Sequence, residues 1–343
     1  MIEIGKVEGS DCPLIVSDAA SNRHILITGG SGTGKSTALK QMEIQMSREG
    51  KRIIVLNVNG THEDVLNIER KFHVVRVKDE GVPFPLLECL SFPNGMKEDP
   101  VDVSEAVVEV FSQADRMGYR QKYLLRVACE RAIASRENYS DDMHCLLYAI
   151  NSLEDDAGEV FLEKYGVLLK RVKFGTEADL WSDDKVTILD FSGYPQRTQI
   201  LIAQLALSVL WRQHRVSGQQ EQEETWVVVD EFQNFSLKED SVLTQILREG
   251  RKFKLSLILA TQTLAGFDVK QRAVLQQPAT KLYFKPVETD LRKIANIFPD
   301  MDIKEASNIL RNLRIGECLV SGEFLIGGKK QTRALRSCFP KLY

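Results

Sequence analysis

The stretch HILITGGSGTGKSTALKQM, residues 24–42, decides how the chain is read. Its centre, Gly29-Gly30-Ser31-Gly32-Thr33-Gly34-Lys35-Ser36, fits the pattern G-x-x-x-x-G-K-[ST] with an apolar strand before it and a helix after it. Glycines let such a loop wrap until backbone N–H groups point inward at phosphate oxygens. The helix opening near Lys35 adds the positive end of its dipole. Lys35 is then placed to reach the β- and γ-phosphates of a nucleoside triphosphate, and the Ser36 hydroxyl to ligate Mg2+. The expected cradle is Gly29, Gly30, Ser31, Gly32, Thr33, Gly34, Lys35, Ser36 and Thr37, and the expected ligands are ATP and Mg2+.

Outward from the loop, apolar strands alternate with helical segments. In residues 36–50, Leu39, Met42, Ile44 and Met46 fall on one side of a helix that Gly50 is suited to end. RIIVLNV (52–58) and HVVRV (73–77) read as strands. Prolines and glycines punctuate a loop over 81–95, and the pattern is helical from about Val101 to Lys173. There Leu125, Cys129 and Ile133, flanked by Leu124, Ala128 and Ala132, form one apolar face. Strands return at VTILDFSG (186–193), TWVVVDEF (225–232), LSLILATQ (255–262), TKLYF (280–284) and GECLVSG (316–322). This alternation predicts an α/β fold with a mostly parallel central sheet flanked by helices, plus an all-helical insertion. The expected divisions are a short β segment (1–22), a first core part (23–95), the insertion (96–180), a second core part (181–326) and a tail (327–343).

A phosphate loop needs an acidic partner at a neighbouring strand end, and TWVVVDEF supplies Asp230 and Glu231. Asp230 is expected in the Mg2+ shell and Glu231 as the group that orients or deprotonates the attacking water. A doublet of this kind points to hydrolysis, because simple binding needs no base. Two further stretches leave alternatives open. ILREGRKF (246–253) carries Arg248, Arg251 and Lys252, read either as the solvated end of a helix or as an arginine finger. Gln262 closes a wholly apolar strand, either in an ordinary turn or as a γ-phosphate contact. Asp190 ends another strand and either lines the site or caps the next turn. His24, His62, Trp181, Trp211 and Trp226 read as packing residues.

Composition limits the partners. The net charge of −3 gives no global attraction to nucleic acid, so any DNA contact must be local. The basic stretches RKFHVVRVK (70–78) and GGKKQTRALR (327–336) read first as solvated faces. The six cysteines form no C-x-x-C pair and read as reduced thiols. No apolar run approaches the roughly 20 residues of a membrane span, and the first residues lack a signal-peptide pattern, so the expected location is the cytoplasm.

Together VVVDEFQNF and ILREGRKFKLSLILATQTL resemble the signature of the HerA/FtsK superfamily of RecA-like P-loop ATPases, in the HerA form. EIGKVEGSDCPLIVSD, VTILDFSGYPQRTQILIAQLALSVLWRQ, ATKLYFKPVETDLRKIA and LRIGECLVSGEF agree, and the likeness runs from residue 2 to about residue 325. The resemblance implies a homo-oligomeric ring, a hexamer in the family, whose active sites are shared between subunits. It implies that Arg251, with Arg248 in reserve, reaches the neighbouring subunit's site, and that Gln262 senses the γ-phosphate. It also implies a motor on DNA. The rival implications are an ATP-gated scaffold for a nuclease or defence effector and a soluble motor of a conjugation or secretion complex. Two features depart from the pattern. VLNVNGTHED has Asn57 and Thr61 where family members often carry carboxylates, and the loop at residue 29 leaves no room ahead of it for the β-barrel common in HerA proteins.

Overall fold

The computed structural model describes residues 2–17, 20–58, 60, 72–178, 180, 185–218, 223–298 and 300–339. Thr61, His62, Trp181 and the first two residues of the 70–78 stretch lie outside them. The chain begins with β1 (Glu3–Val7), β2 (Pro13–Val16), β3 (Ile25–Thr28), α1 (Lys35–Arg48), β4 (Arg52–Asn57), β5 (Phe72–Arg76) and α2 (Val77–Glu80). Four helices follow in succession: α3 (Pro100–Ala114), α4 (Tyr119–Ser135), α5 (Asp142–Asn151) and α6 (Asp156–Arg171). The alternation resumes with β6 (Val186–Asp190), α7 (Gln196–Ser217), β7 (Thr225–Val229), α8 (Val242–Glu249), β8 (Leu255–Thr261), α9 (Val269–Val274) and β9 (Thr280–Phe284). Last come α10 (Glu288–Ala295), α11 (Ile303–Arg311), β10 (Glu317–Gly322), β11 (Phe324–Ile326), β12 (Lys329–Gln331) and β13 (Leu335–Cys338).

These strands form one sheet in the order β12-β11-β2-β1-β13-β10-β9-β3-β8-β7-β4-β6-β5. From β9 to β5 every pairing is parallel. This central part is the mostly parallel sheet expected from the alternation, in the arrangement the resemblance to RecA-like ATPases implies. Its strands are apolar throughout because both faces are covered. Ile25, Ile27, Ile53, Val55, Trp226 and Val228 pack with Leu39, Met42 and Met46 of α1 on one face. Leu26, Ile54, Leu56, Val227, Val229 and Leu257 join the other helices on the opposite face. α1 ends as its sequence predicts: Gly50 at φ +67° donates to the Ser47 carbonyl, and Lys51 N–H donates to that of Met46.

From β9 to β12 the pairings are antiparallel, an extension the alternation did not anticipate. The segment expected to be a tail from residue 327 is a correction: it supplies β12 and β13. Gly327 (φ +54°) and Gly328 (φ +76°) close a two-residue hairpin between Ile326 and Lys329. β13 then fills the slot between β1 and β10, and Ser337 Oγ donates to the Ile4 carbonyl at 3.1 Å.

The helices α3 to α6 pack on one another, with α3 against α7, on the sheet face opposite α1. Phe111, Phe161 and Tyr165 meet at centroid distances of 4.8–5.3 Å. Arg212 of α7 fastens the preceding loop: its guanidinium donates to Glu98 Oε2 (2.6 Å) and to the carbonyls of Leu86 (3.0 Å) and Glu88 (2.6 Å). Among the described residues no helix is long and apolar enough to cross a membrane.

Candidate nucleotide site

In a parallel sheet all strands end on one edge, and that edge gathers the expected residues. Thr28 pairs with Thr261, so β3 and β8 deliver Gly29 and Gln262 side by side. β7, next to β8, delivers Asp230 and Glu231. Asn57 pairs with Asp190 two strands further on.

The loop is shaped by its own sequence. Gly29, Gly32 and Gly34 have φ of +155°, +72° and +108°, values that side chains resist. A Cβ at Gly29 would lie 2.5 Å from the Phe284 Cβ. Gly34 caps α1 with no side-chain hydrogen bond, so the helix presents free N–H groups to the loop. Lys35 is 6% exposed and donates to the Gly30 carbonyl at 2.9 Å. Burial pulls its ammonium below the ordinary lysine range, and the carboxylates of Glu231 and Asp230 push it back up. A buried cation held only by a carbonyl, beside open backbone donors, fits a phosphate chain. Ser36 is exposed in the first turn, on the open side of the cradle. Among the described residues no cluster of three or more His, Cys, Asp or Glu could hold a metal. Ser36, exposed in the first turn of α1, and Asp230, at the end of β7, carry oxygen donors of the kind Mg2+ takes, and Mg2+ needs few protein ligands.

Asp230 is 6% exposed, and its Oδ1 accepts the Glu231 N–H at 2.9 Å. Glu231 stands at φ +53°, ψ +42°, a left-handed conformation that costs a residue with a Cβ about 1–2 kcal/mol. Its carboxylate is clamped on both oxygens. Gln262 Nε2 donates to Oε1 at 2.6 Å, and Gln233 Nε2 donates to Oε2 at 2.5 Å. Gln233 Oε1 in turn accepts from Thr261 Oγ1 at 2.7 Å. Gln233 was not singled out from the sequence, although it stands two residues after Glu231 within DEFQNF. Asp190 caps its own turn, accepting from Ser192 Oγ at 2.6 Å.

Arg248 and Arg251 lie elsewhere. Both precede β8, whose seven residues span roughly 20 Å to Gln262 at the other end. Both are exposed: Arg248 pairs with Glu239 at 3.5 Å, and Arg251 donates to the Ser21 carbonyl. His24 belongs to the same far edge, with Nδ1 accepting the Leu257 N–H at 3.0 Å.

A family model described as "Helicase HerA, central domain" matches residues 2–209, and one described as "AAA-like domain" matches residues 198–329. The DNA double-strand break repair helicase HerA of Sulfurisphaera tokodaii is 21% identical over 350 residues, covering 94% of this chain and 67% of the relative. Its counterpart in Sulfolobus acidocaldarius is also 21% identical, over 94% of this chain and 66% of its own length. The chain thus spans about two thirds of the length of both relatives. Among solved structures, VirB4 of Thermoanaerobacter pseudethanolicus shares the fold with a TM-score of 0.71 at 20% identity, covering 99% of this chain and 96% of that one. The plasmid coupling protein TrwB in complex with ADP and Mg2+ does so with a TM-score of 0.65 at 15% identity, covering 94% and 85%. With its phosphate loop, acidic doublet and strand order in place, the chain belongs to the HerA helicase central-domain family of P-loop ATPases.

Proposed function

We propose that this chain is an ATP-hydrolysing, Mg2+-dependent motor that works in the cytoplasm as a ring of copies, six in the family's manner, and translocates DNA. The observation that carries the reading is the division of the site between two edges of one sheet. The strand-end edge holds Lys35, Asp230, Glu231 and Gln262, while Arg248 and Arg251 stand about one strand length away. An arginine so placed cannot serve its own phosphate loop, but in a head-to-tail ring it faces the next copy's loop. The DNA track is supported by the two HerA relatives, both named as DNA double-strand break repair helicases.

In this reading the loop N–H groups and Lys35 bind and orient the triphosphate. Ser36 and Asp230 hold Mg2+, which when bound neutralises phosphate charge. Glu231 receives the proton of the attacking water, its carboxylate aimed by Gln262 and Gln233. Gln262, on the exposed strand end, also contacts the γ-phosphate, so the state of that phosphate is passed to the base. Arg251 of the adjacent copy stabilises the charge on the transferring phosphoryl group.

The test is steady-state ATP hydrolysis with and without double- and single-stranded DNA, with Glu231→Gln as the blank. Stimulation by one strand form is the expected result and names the track. Turnover indifferent to both forms would overturn the DNA motor. A Glu231→Gln protein that still assembles and activates a partner with ATP bound would favour an ATP-gated scaffold.

A further inference from the structure

A buried carboxylate on α10 holds the turn that follows Gln262. Asp290 is 1% exposed, and its Oδ2 accepts two donors at 2.6 Å each, the Thr263 hydroxyl and the Leu264 N–H. Its Oδ1 is also buried and meets no donor among the described residues. A charge is costly to bury, and a neutral acceptor would close the same turn at less cost. What the charge adds is strength, since an ionised acceptor makes a hydrogen bond about twice as strong as a neutral one.

The hold continues inward. Thr263 N–H donates to Thr261 Oγ1 at 3.4 Å, and Thr261 Oγ1 donates to Gln233 Oε1, whose amide nitrogen holds Glu231 Oε2. Gln262, which holds Oε1, stands between Thr261 and Thr263. Both clamps on the Glu231 carboxylate therefore end on the turn that Asp290 fixes. The same chain segment also touches the phosphate loop, because the Lys285 carbonyl, shortly before α10, accepts the Gly30 N–H at 2.8 Å. Resting on the ATP-hydrolysis reading, we propose that Asp290 is a positioning residue for the reaction. It sets the end of β8 against the phosphate loop, so that Glu231 stays aimed at a water beside the γ-phosphate. It acts through Thr263 and the two glutamines, not on the nucleotide. Loosening it slows the chemical step and spares the cradle, which is built from the loop's own backbone.

The test compares the parent with Asp290→Asn and Thr263→Val, and repeats Thr263→Val in a Gln233→Leu background. Asp290→Asn keeps an acceptor of the same shape and removes the charge. Thr263→Val keeps the shape and removes one of the two donors from a half-buried position, so the fold is spared. The readouts are kcat and KM for ATP, the affinity for the Mg2+ complex of a non-hydrolysable ATP analogue, and the urea midpoint. Asp290→Asn should lower kcat about tenfold and Thr263→Val about fivefold, with KM and analogue affinity within about twofold of the parent. After Gln233→Leu, Thr263→Val should cost only about twofold, the part that Gln262 carries. Unchanged kcat in both single variants would overturn the role. A parallel loss of kcat, analogue affinity and urea midpoint would overturn it too, making Asp290 a strut of the fold. An undiminished loss in the Gln233→Leu background would sink the route through Glu231. A parent that binds the analogue but never hydrolyses ATP would bring down the hydrolysis reading and the role of Asp290 together.

Discussion

The two edges of the parallel sheet are built differently. At the strand-end edge three candidate side chains are already held: Lys35 by the Gly30 carbonyl, Glu231 by two glutamines, Gln233 by Thr261. At the opposite edge Arg248 and Arg251 are exposed, and each has one contact given to it by the fold. The first edge is preorganised, as a site must be if its electrostatics are to stabilise charge without rearranging. The second has long cationic side chains with freedom to reach. In the proposed ring, the first edge would act on the nucleotide and the second, one strand away, would complete the site of a neighbouring copy.

The sharpest way to break this comparison is to remove the donor. Arg251→Ala is expected to lower turnover on the order of 10^3-fold or more without weakening ATP binding by the isolated chain. Glu231→Gln should lower it by about 10^2- to 10^4-fold. Mixing the two inactive proteins should restore activity, since a site with an intact Glu231 can then receive an intact Arg251 from the adjacent copy. Turnover assayed across mixing ratios checks this. A mixture as dead as its components would mean that both groups act within one subunit. Full activity of Arg251→Ala with loss in Arg248→Ala would move the finger to Arg248 and leave the two-edge arrangement intact.

A smaller effect, on stability, tests how firmly the far edge is fixed. His24 sits before β3 and accepts the backbone N–H of Leu257 in β8, and a Cβ at Gly250 would lie 3.2 Å from its Cε1. Burial pulls its pKa down to about 4. The unfolded chain therefore binds the His24 proton more readily than the folded one. Its contribution is full above the unfolded value of 6.5 and is lost as pH falls toward 4. A depression from 6.5 to about 4, at 1.36 kcal/mol per unit, amounts to about 3 kcal/mol. Urea midpoints at pH 7.5, 5.5 and 4.5 should show this fall in the parent. His24→Asn, less stable at pH 7.5, should give a flatter profile. Parallel profiles would mean that His24 does not carry the pH dependence.

The gathering of the candidate residues at the strand-end edge was legible in the sequence because its signals are local and chemical. Glycines at fixed spacing define the phosphate loop, and four apolar residues running into Asp230 and Glu231 define the strand end. The α1 face was legible for a related reason: Leu39, Met42 and Met46 follow the helical period. What stayed hidden depends on pairing between distant residues. β1 and β13 meet across more than three hundred positions, and no local pattern announces that register. The β11–β12 hairpin was signalled by Gly327-Gly328 between short apolar and polar runs, but the stretch had been read for its charge. The separation of Arg251 from its own loop follows only once the strand order is known, because sequence gives spacing and not the edge on which a segment falls.

The finest distinction lies within the strand-end edge, between Glu231 as the proposed base and the group that aims it. Gln233 touches Glu231 Oε2 on one side and Thr261 Oγ1 on the other, so it holds the carboxylate to the end of β8. As a positioning residue it should affect the chemical step and leave the binding of ATP alone. Gln233→Leu is expected to lower kcat about tenfold with KM nearly unchanged, because Glu231 keeps the Gln262 bond but loses its second anchor. Thr261→Val removes only the support behind Gln233 and should cost less. If the three groups form one chain, the double variant should be no worse than Gln233→Leu alone, since the Thr261 hydroxyl has nothing left to hold. Additive losses would show that Thr261 and Gln233 act separately. An unchanged kcat in Gln233→Leu would leave Gln262 as the sole aim of the carboxylate, and the left-handed backbone of Glu231 as the feature that does most to place it.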